Sequence, residues 1–262
     1  LKMYADRSYA LQAKTDKLIK NMYINVDTPT HSIRPIQDND ETLLIFAGEN
    51  HRTGVSESPM EEHYNLLAGF ADENFKIDEI RHFWSAQDYT TLDKIPYIGS
   101  VTKEKDNVFV ATGYRKWGMT NGTNAALLIC DLILQKDTEF EQFFATYRNA
   151  KFNPAIKKFF SYNAEVAKHL VKGKFDNSNE QIDKLKQDEA CIVMQDGDRI
   201  GVYKDNDSQI HAVDTTCTHM GCELSWNSAE KSWDCPCHGS RFCYKGHVIN
   251  GPAVRDLRNI RM

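Results

Sequence analysis

The chain has 262 residues, of which 41% are apolar, 26% charged and 11% aromatic, with a formal net charge of −5. That length favours two domains over one, in a soluble globular composition. The acidic balance argues against a nucleic-acid or anionic-membrane surface, and no apolar run approaches the ~20 residues that span a bilayer, so no nucleic-acid partner and no transmembrane segment are expected.

The opening LKMYADRSYALQAK lacks an apolar signal-peptide core, and its start at Leu1 reads as a fragment or a processed chain. Residues 20 to 50 predict short strands, NMYINV, HSIRPI and ETLLIFAG, separated by the turn-like DTPT and QDNDE. SPMEEHYNLLAGFADE predicts a helix with Ser58 as cap, Pro59 in the first position and Glu61 closing a capping box. EIRHFW predicts a strand. DNVFVATG, YRKWGM and TNGTNAALLICDLIL then read as strand, turn and helix. That helix is apolar almost all round, which predicts burial in a sizeable core, with Cys130 as a plain core residue. A further helix is predicted over NPAIKKFFSYNAEVAKHLVKG, from the cap Asn153 and Pro154 to the stop at Gly173. The polar stretch after it places a domain boundary near residue 177. Beyond it, ACIVMQ, RIGVYKD and IHAVDTT predict a meander of short strands with hairpin turns.

Five of the seven cysteines, Cys217, Cys222, Cys235, Cys237 and Cys243, crowd near the C-terminus beside histidines, a distribution that predicts a metal site rather than a disulfide scaffold. Two ligand pairs stand out: Cys217-Thr-His219 and Cys235-Pro-Cys237-His238, with fifteen residues between His219 and Cys235. Two cysteines and two histidines are also a common zinc set, although C-x-H is unusual in a zinc knuckle, and zinc explains neither spare cysteine. For His211 and His247 an ordinary strand position is expected. Trp226 and Trp233 are read as packing residues.

The pattern C-x-H…C-x-x-H resembles the Rieske iron–sulfur family, whose 2Fe-2S cluster takes two cysteines on one iron and two histidines on the other. The resemblance implies Cys217 and Cys235 on the buried iron and His219 and His238 on the iron nearer the surface. CTHMGC and CPCHGS resemble the loops of the cytochrome bc class, which implies a disulfide between Cys222 and Cys237. By the same resemblance Ser240 donates a hydrogen bond to a cluster sulfide, and NGPAV, with Pro252, is the third loop that covers the cluster. One departure stands out: Phe242 occupies the place of a tyrosine donor. The resemblance covers roughly residues 180 to 262.

DKIPYIGS followed by NVFVATGYRKWGMTNGTNAALLICDLI resembles the C-terminal portion of FAD-dependent oxidoreductases of the D-amino-acid oxidase type. The resemblance implies that Gly113, Trp117, Gly118, Met119, Thr120 and Gly122 line a flavin ring at a helix N-terminus, where free N–H groups favour negative charge. The first ninety residues are then the substrate-side sheet. Arg34 and His51 lie where a substrate could be reached, but surface placement is expected for both. The N-terminal G-x-G-x-x-G that holds the ADP half of FAD is absent from the 14 glycines, which implies a parent whose FAD-binding half is missing here.

The expected fold class is α+β: residues 1–150 as a partial FAD oxidoreductase (substrate-side sheet plus flavin-facing strand–turn–helix), 151–179 as helix and linker, and 180–262 as an all-β Rieske domain. The expected function is an oxidoreductase whose flavin oxidises a small amine- or amino-acid-like substrate while the cluster relays electrons to a redox partner. The alternative is an electron-transfer protein whose first domain is only a scaffold. A Rieske oxygenase needs a mononuclear iron site of two histidines and a carboxylate after the cluster domain, and Gly239 to Met262 leave no room for one. A disulfide favours oxidising compartments, but flavin enzymes of this type set the expectation of a cytoplasmic location.

Overall fold

The computed structural model describes residues 3–17, 19–38, 41–55, 58–148, 164 and 182–262. The fold is α+β, and the chain forms two compact units. The described residues within Leu1–Asp6 and Asp88–Lys168 make up the first; those within Arg7–Gln87 and His169–Met262 make up the second. The helix expected from Asn153 to Gly173 and the boundary near residue 177 lie outside the described residues.

A five-stranded sheet, ordered β2–β3–β4–β1–β5, is built from β1 (Met3–Thr15), β2 (Tyr23–Ile24), β3 (Ser32–Asp38), β4 (Glu41–Arg52) and β5 (Ile77–Thr91). Residues 3–6 of β1 and 88–91 of β5 count with the first unit. Along β1, Ala5, Arg7, Tyr9, Leu11, Ala13 and Thr15 alternate inward and are buried, as the two-residue period of a strand requires. On this sheet α1 (Met60–Phe75) lays Leu67 and Ala71 against Tyr9, Leu11, Ala13, Leu44 and Phe46. Pro59, rather than the expected Ser58, takes the cap position with ψ 143°, so Glu61 stands one residue too early to close a box on that cap.

The second unit continues with β8 (Glu189–Gln195), β9 (Asp198–Lys204) and β10 (Ile210–Asp214), an antiparallel sheet ordered β10–β9–β8. A four-stranded sheet follows in chain order: β11 (Ser225–Asn227), β12 (Ser232–Asp234), β13 (Arg241–Cys243) and β14 (Val248–Asn250). Trp233 is fully buried and faces Trp226 in register, their rings 4.7 Å apart. It lies directly on Gly201, where a Cβ would stand 2.5 Å from the indole; any larger residue at this position would have to displace the ring.

In the first unit, β6 (Tyr97–Thr102) and β7 (Lys105–Thr112) form a hairpin, followed by α2 (Gly118–Ile133) and α3 (Glu141–Phe144). Ala125 and Leu128 of α2 pack on Ile98, with Tyr114, Ile129, Leu132 and Phe144 around them. Burial of α2 on all sides is not what the structure shows: Leu127 is 63% exposed and Ile133 60%, and Cys130 is exposed rather than a core residue. A two-stranded hairpin covers one side of a helix about 10 Å across and no more. Arg148 closes the unit, with its guanidinium paired to both carboxylate oxygens of Asp93 at 2.8 and 2.7 Å and stacked over Tyr97.

Candidate metal centre

The two cysteine- and histidine-bearing loops share one backbone design. In the first, Cys217 N–H donates to Cys222 O (2.8 Å) and Gly221 N–H to Cys217 O (2.9 Å). In the second, Cys235 N–H donates to Ser240 O (2.8 Å) and Gly239 N–H to Cys235 O (3.0 Å). Gly221 and Gly239 turn the loops at φ 74° and 78°, a region that glycine enters at little cost. Each loop is thus a closed ring opened by a cysteine, from which a histidine projects two or three residues on.

The rings bring like groups together. Cys217 and Cys235 are buried, outside any disulfide and hydrogen-bonded to each other through their sulfurs. The imidazoles of His219 and His238 meet edge to face, 4.8 Å apart. Cys222 and Cys237 form a disulfide between the loops, with Cα atoms 6.5 Å apart. The sulfurs of Cys222, Cys235 and Cys237 lie within 4.8 Å of one another, but two of them are spent in the disulfide. Outside the disulfide, the two loops leave Cys217 beside Cys235 and His219 beside His238.

The imidazoles are not equivalent. His219 is exposed, whereas His238 is only 8% exposed. This corrects the expectation that both stand at the surface: the Arg52–Gly54 segment packs on the backbone of the His238 loop. Burial, and then the nearby His219, push the His238 pKa down to about 4. Cys217 is held below the usual thiol range because Cys235 donates to it, with Ser240 adding a further bond; Cys235 is pushed up by the same bond and by burial.

Around the ligands, Ser240 Oγ accepts from Ala253 N–H at 3.0 Å, and Thr218 Oγ1 donates to Arg255 O at 2.6 Å. Both fasten the loop that carries Pro252 to the ligand loops. Phe242 is fully buried opposite Trp233. The Arg241 guanidinium is buried and donates to Asp234 Oδ1 (3.0 Å), Ser232 Oγ (3.0 Å) and Asn250 Oδ1 (3.2 Å). His211 and His247 pair with Asp205 and Asp256 instead of joining the site. Arg34 is exposed. His51 is not a surface residue but half-buried, in a stack with Tyr9 and His63.

In the first unit, Gly113 turns the chain at φ 78°, and a Cβ there would strike Thr91 Cγ2 at 2.5 Å. Trp117 precedes α2, whose first turn has no side-chain cap. Trp117 is 54% exposed and Met119 91% exposed; Thr120 is exposed too. A Cβ on Gly118 or Gly122 would meet nothing within 4 Å. The helix thus presents its free N–H groups in open space.

The family model for FAD dependent oxidoreductases matches residues 1–132 and that for the Rieske 2Fe-2S domain residues 178–261. The chain belongs to the FAD-dependent oxidoreductases and carries a Rieske domain. It is 43% identical over 260 residues to YhfW of Bacillus subtilis (strain 168), provisionally named a Rieske 2Fe-2S iron-sulfur protein, covering 99% of this chain and 51% of that one. The chain therefore spans about half the length of that curated relative. Over 73 residues, 28% of this chain and 36% of the relative, it is 41% identical to the cytochrome b6-f complex iron-sulfur subunit 2 of Synechocystis sp.. Among solved structures it is similar to glycine oxidase from Geobacillus kaustophilus (22% identity, 57% of this chain and 40% of that one, TM-score 0.46). It is also similar to the Rieske protein PetC3 from Synechocystis (39% identity, 27% of this chain and 72% of that one, TM-score 0.26). Among the described residues no helix is long and apolar enough to cross a membrane.

A Rieske domain implies a 2Fe-2S cluster, and the FAD-dependent oxidoreductase domain implies FAD. The donor set fits the first: two buried neighbouring thiols, two imidazoles, and a His238 Nδ1 that is buried with no hydrogen-bond partner. An orphaned nitrogen of this kind costs about 1–3 kcal/mol, a cost that a metal bond removes. The uncapped start of α2, with open space at Gly118 and Gly122, fits an electron-rich ring edge. Sequence reasoning missed Arg52, Gly54 and Gln87, which touch the second ligand loop from β4, β5 and the turn after β4. Only the lone glycine in HRTGV hinted at a close approach.

Proposed function

We propose that the full-length protein is an oxidoreductase that oxidises a small amine- or amino-acid-like substrate through FAD and passes the electrons through a Rieske cluster to a separate redox partner. A cytoplasmic location belongs to the same reading. When bound, FAD supplies two-electron oxidation and the cluster supplies one-electron transfer, so together they can split an electron pair. The roles of the chain's own residues are to hold and to orient. Cys217, Cys235, His219 and His238 would hold the cluster, with Cys222–Cys237 clamping their loops and Ser240 and Pro252 lying against it. Gly113, Trp117, Gly118, Met119, Thr120 and Gly122 would line the flavin, whose other half residues outside this chain would bind. His219, as the exposed imidazole, is the exit toward the acceptor. In domain terms, residues 1–150 serve the flavin, 151–179 connect, and 180–262 serve the cluster.

The observation that supports the reading is the placing of Cys217 beside Cys235 and of His219 beside His238 on the same chain as an FAD-dependent oxidoreductase match. Stopped-flow reduction of the full-length, cofactor-loaded protein tests it, with flavin bleaching and cluster absorbance followed together. Substrate should bleach both. Flavin bleaching with a cluster that stays oxidised through turnover would refute the relay.

A further inference from the structure

The second ligand loop is gripped from outside its own strands. Arg52 Nη2 donates to Pro236 O over 3.0 Å, and Gln87 Nε2 donates to Gly239 O over 2.8 Å. These two carbonyls stand on either side of Cys237 and His238. Gln87 is itself fixed, because its Oε1 accepts from Thr53 Oγ1 at 2.9 Å and from Arg7 Nη2 at 3.4 Å, both from buried residues. Gly54, at φ 72°, comes so close that a Cβ would lie 2.6 Å from Pro236 N and 2.8 Å from the Cys235 carbonyl carbon. The partners are 184 and 152 residues apart in sequence.

The ring of hydrogen bonds within the loop sets its shape. The outside contacts add two things that the ring cannot: an anchor for its position and a positive charge. A guanidinium on the carbonyl next to Cys235 favours the more negative, reduced state of a cluster held there. A neutral amide on Gly239 O carries no such charge and acts by holding the loop that bears His238.

We propose that Arg52 and Gln87 are positioning residues for the cluster, Gln87 fixing the Cys235–Gly239 loop and Arg52 raising the reduction potential through its charge. The proposal rests on the Rieske reading above. The full chain, purified with its cluster, is titrated with dithionite as reductant and followed by EPR and visible absorbance. Arg52→Gln keeps a donor but loses the charge. It should lower the potential by a two- to tenfold change in the reduction equilibrium, about 20–60 mV at 59 mV per decade. Arg52→Lys should stay within twofold of the parent, as should Arg81→Gln, a surface control on β5. Gln87→Met should broaden the EPR signal and speed cluster loss; Gln87→Glu, which keeps the size and removes the donor, is read alongside should the methionine variant not fold. A parental potential in Arg52→Gln overturns the charge role, and parental spectra and cluster retention in either Gln87 variant overturn the anchor. A parent chain that carries zinc and no sulfide overturns the Rieske reading itself, which is a different result from these.

Discussion

The backbone N–H of Ala253 donates to Ser240 Oγ over 3.0 Å, so the loop that carries Pro252 is fastened to the loop that carries His238. Ser240 is fully buried, and its hydroxyl also bonds the Cys217 sulfur. Ser240→Ala strands the Ala253 N–H and takes a hydrogen bond from the sulfur. We expect a stability loss of about 1–3 kcal/mol in urea denaturation and a lower reduction potential in a redox titration. A variant unchanged in both would show that the hydroxyl holds nothing.

Phe242 lies on β13, fully buried, with Trp233 and Val248 as its strand neighbours. By the resemblance of the loop sequence, it takes the place of a tyrosine donor in Rieske proteins of the cytochrome bc class. A hydroxyl added there by Phe242→Tyr should stabilise the reduced cluster and raise the potential. The redox titration of the folded variant decides the matter, and a fall or no change counts against it.

The Cys222–Cys237 disulfide closes a loop with a sequence separation of 15, for which the chain-entropy model gives about 3 kcal/mol. The double variant Cys222→Ala/Cys237→Ala should lose stability of that order, read from the shift in denaturation midpoint. Full stability in the double variant would mean that the hydrogen-bonded rings alone hold the loops.

His51 donates from Nδ1 to the carbonyls of Arg52 and Val55, at 2.8 and 3.0 Å, and its Nε2 accepts from Tyr9 OH at 3.0 Å. Burial first, and the Arg7 charge with it, hold its pKa below the ordinary 6.5, against the bonds to those carbonyls and the charge of Asp234. His63, stacked 4.4 Å away, is lowered likewise by burial and by His51. The unfolded chain therefore takes up protons first as the pH falls. Stability contributed by the neutral rings is complete above about pH 6.5 and declines as the pH drops through 6.5 toward the folded pKa. Urea denaturation between pH 7.5 and 5 should show a shallower decline in His51→Gln than in the parent. Equal slopes would refute the assignment.

Strands β8, β9 and β10 were legible in the sequence because hydrophobic alternation and hairpin turns are local signals, whereas the three-residue strands β11 to β14 are too short to show a period. The strand β1 was not: MYADRSYALQAKT carries three alanines and three charged residues, and its buried Arg7 is held by Ser85 and Gln87 of another strand. Spacing picked out the two cysteine- and histidine-bearing loops, and the Rieske resemblance chose Cys217, His219, Cys235 and His238 among their six candidates. Neither could tell that His238 is covered while His219 is open, because the covering residues come from β4, β5 and the turn after β4. The burial expected of α2 failed for a related reason. An apolar composition states what a helix could bury, while the elements packed beside it decide what it does bury.

Arg241 has a mechanical consequence. Its one planar group is bonded to Asp234, which leads into the second ligand loop, and to Asn250, which leads into the Pro252 loop, while Arg241 itself directly follows Ser240. A guanidinium cannot bend, and its donors point in fixed directions. A shift of one of these segments would therefore pull on the others through the same group. For a cluster held between the loops, such a tie would oppose changes in ligand spacing on gain or loss of an electron, which is how one side chain can favour a low reorganisation energy.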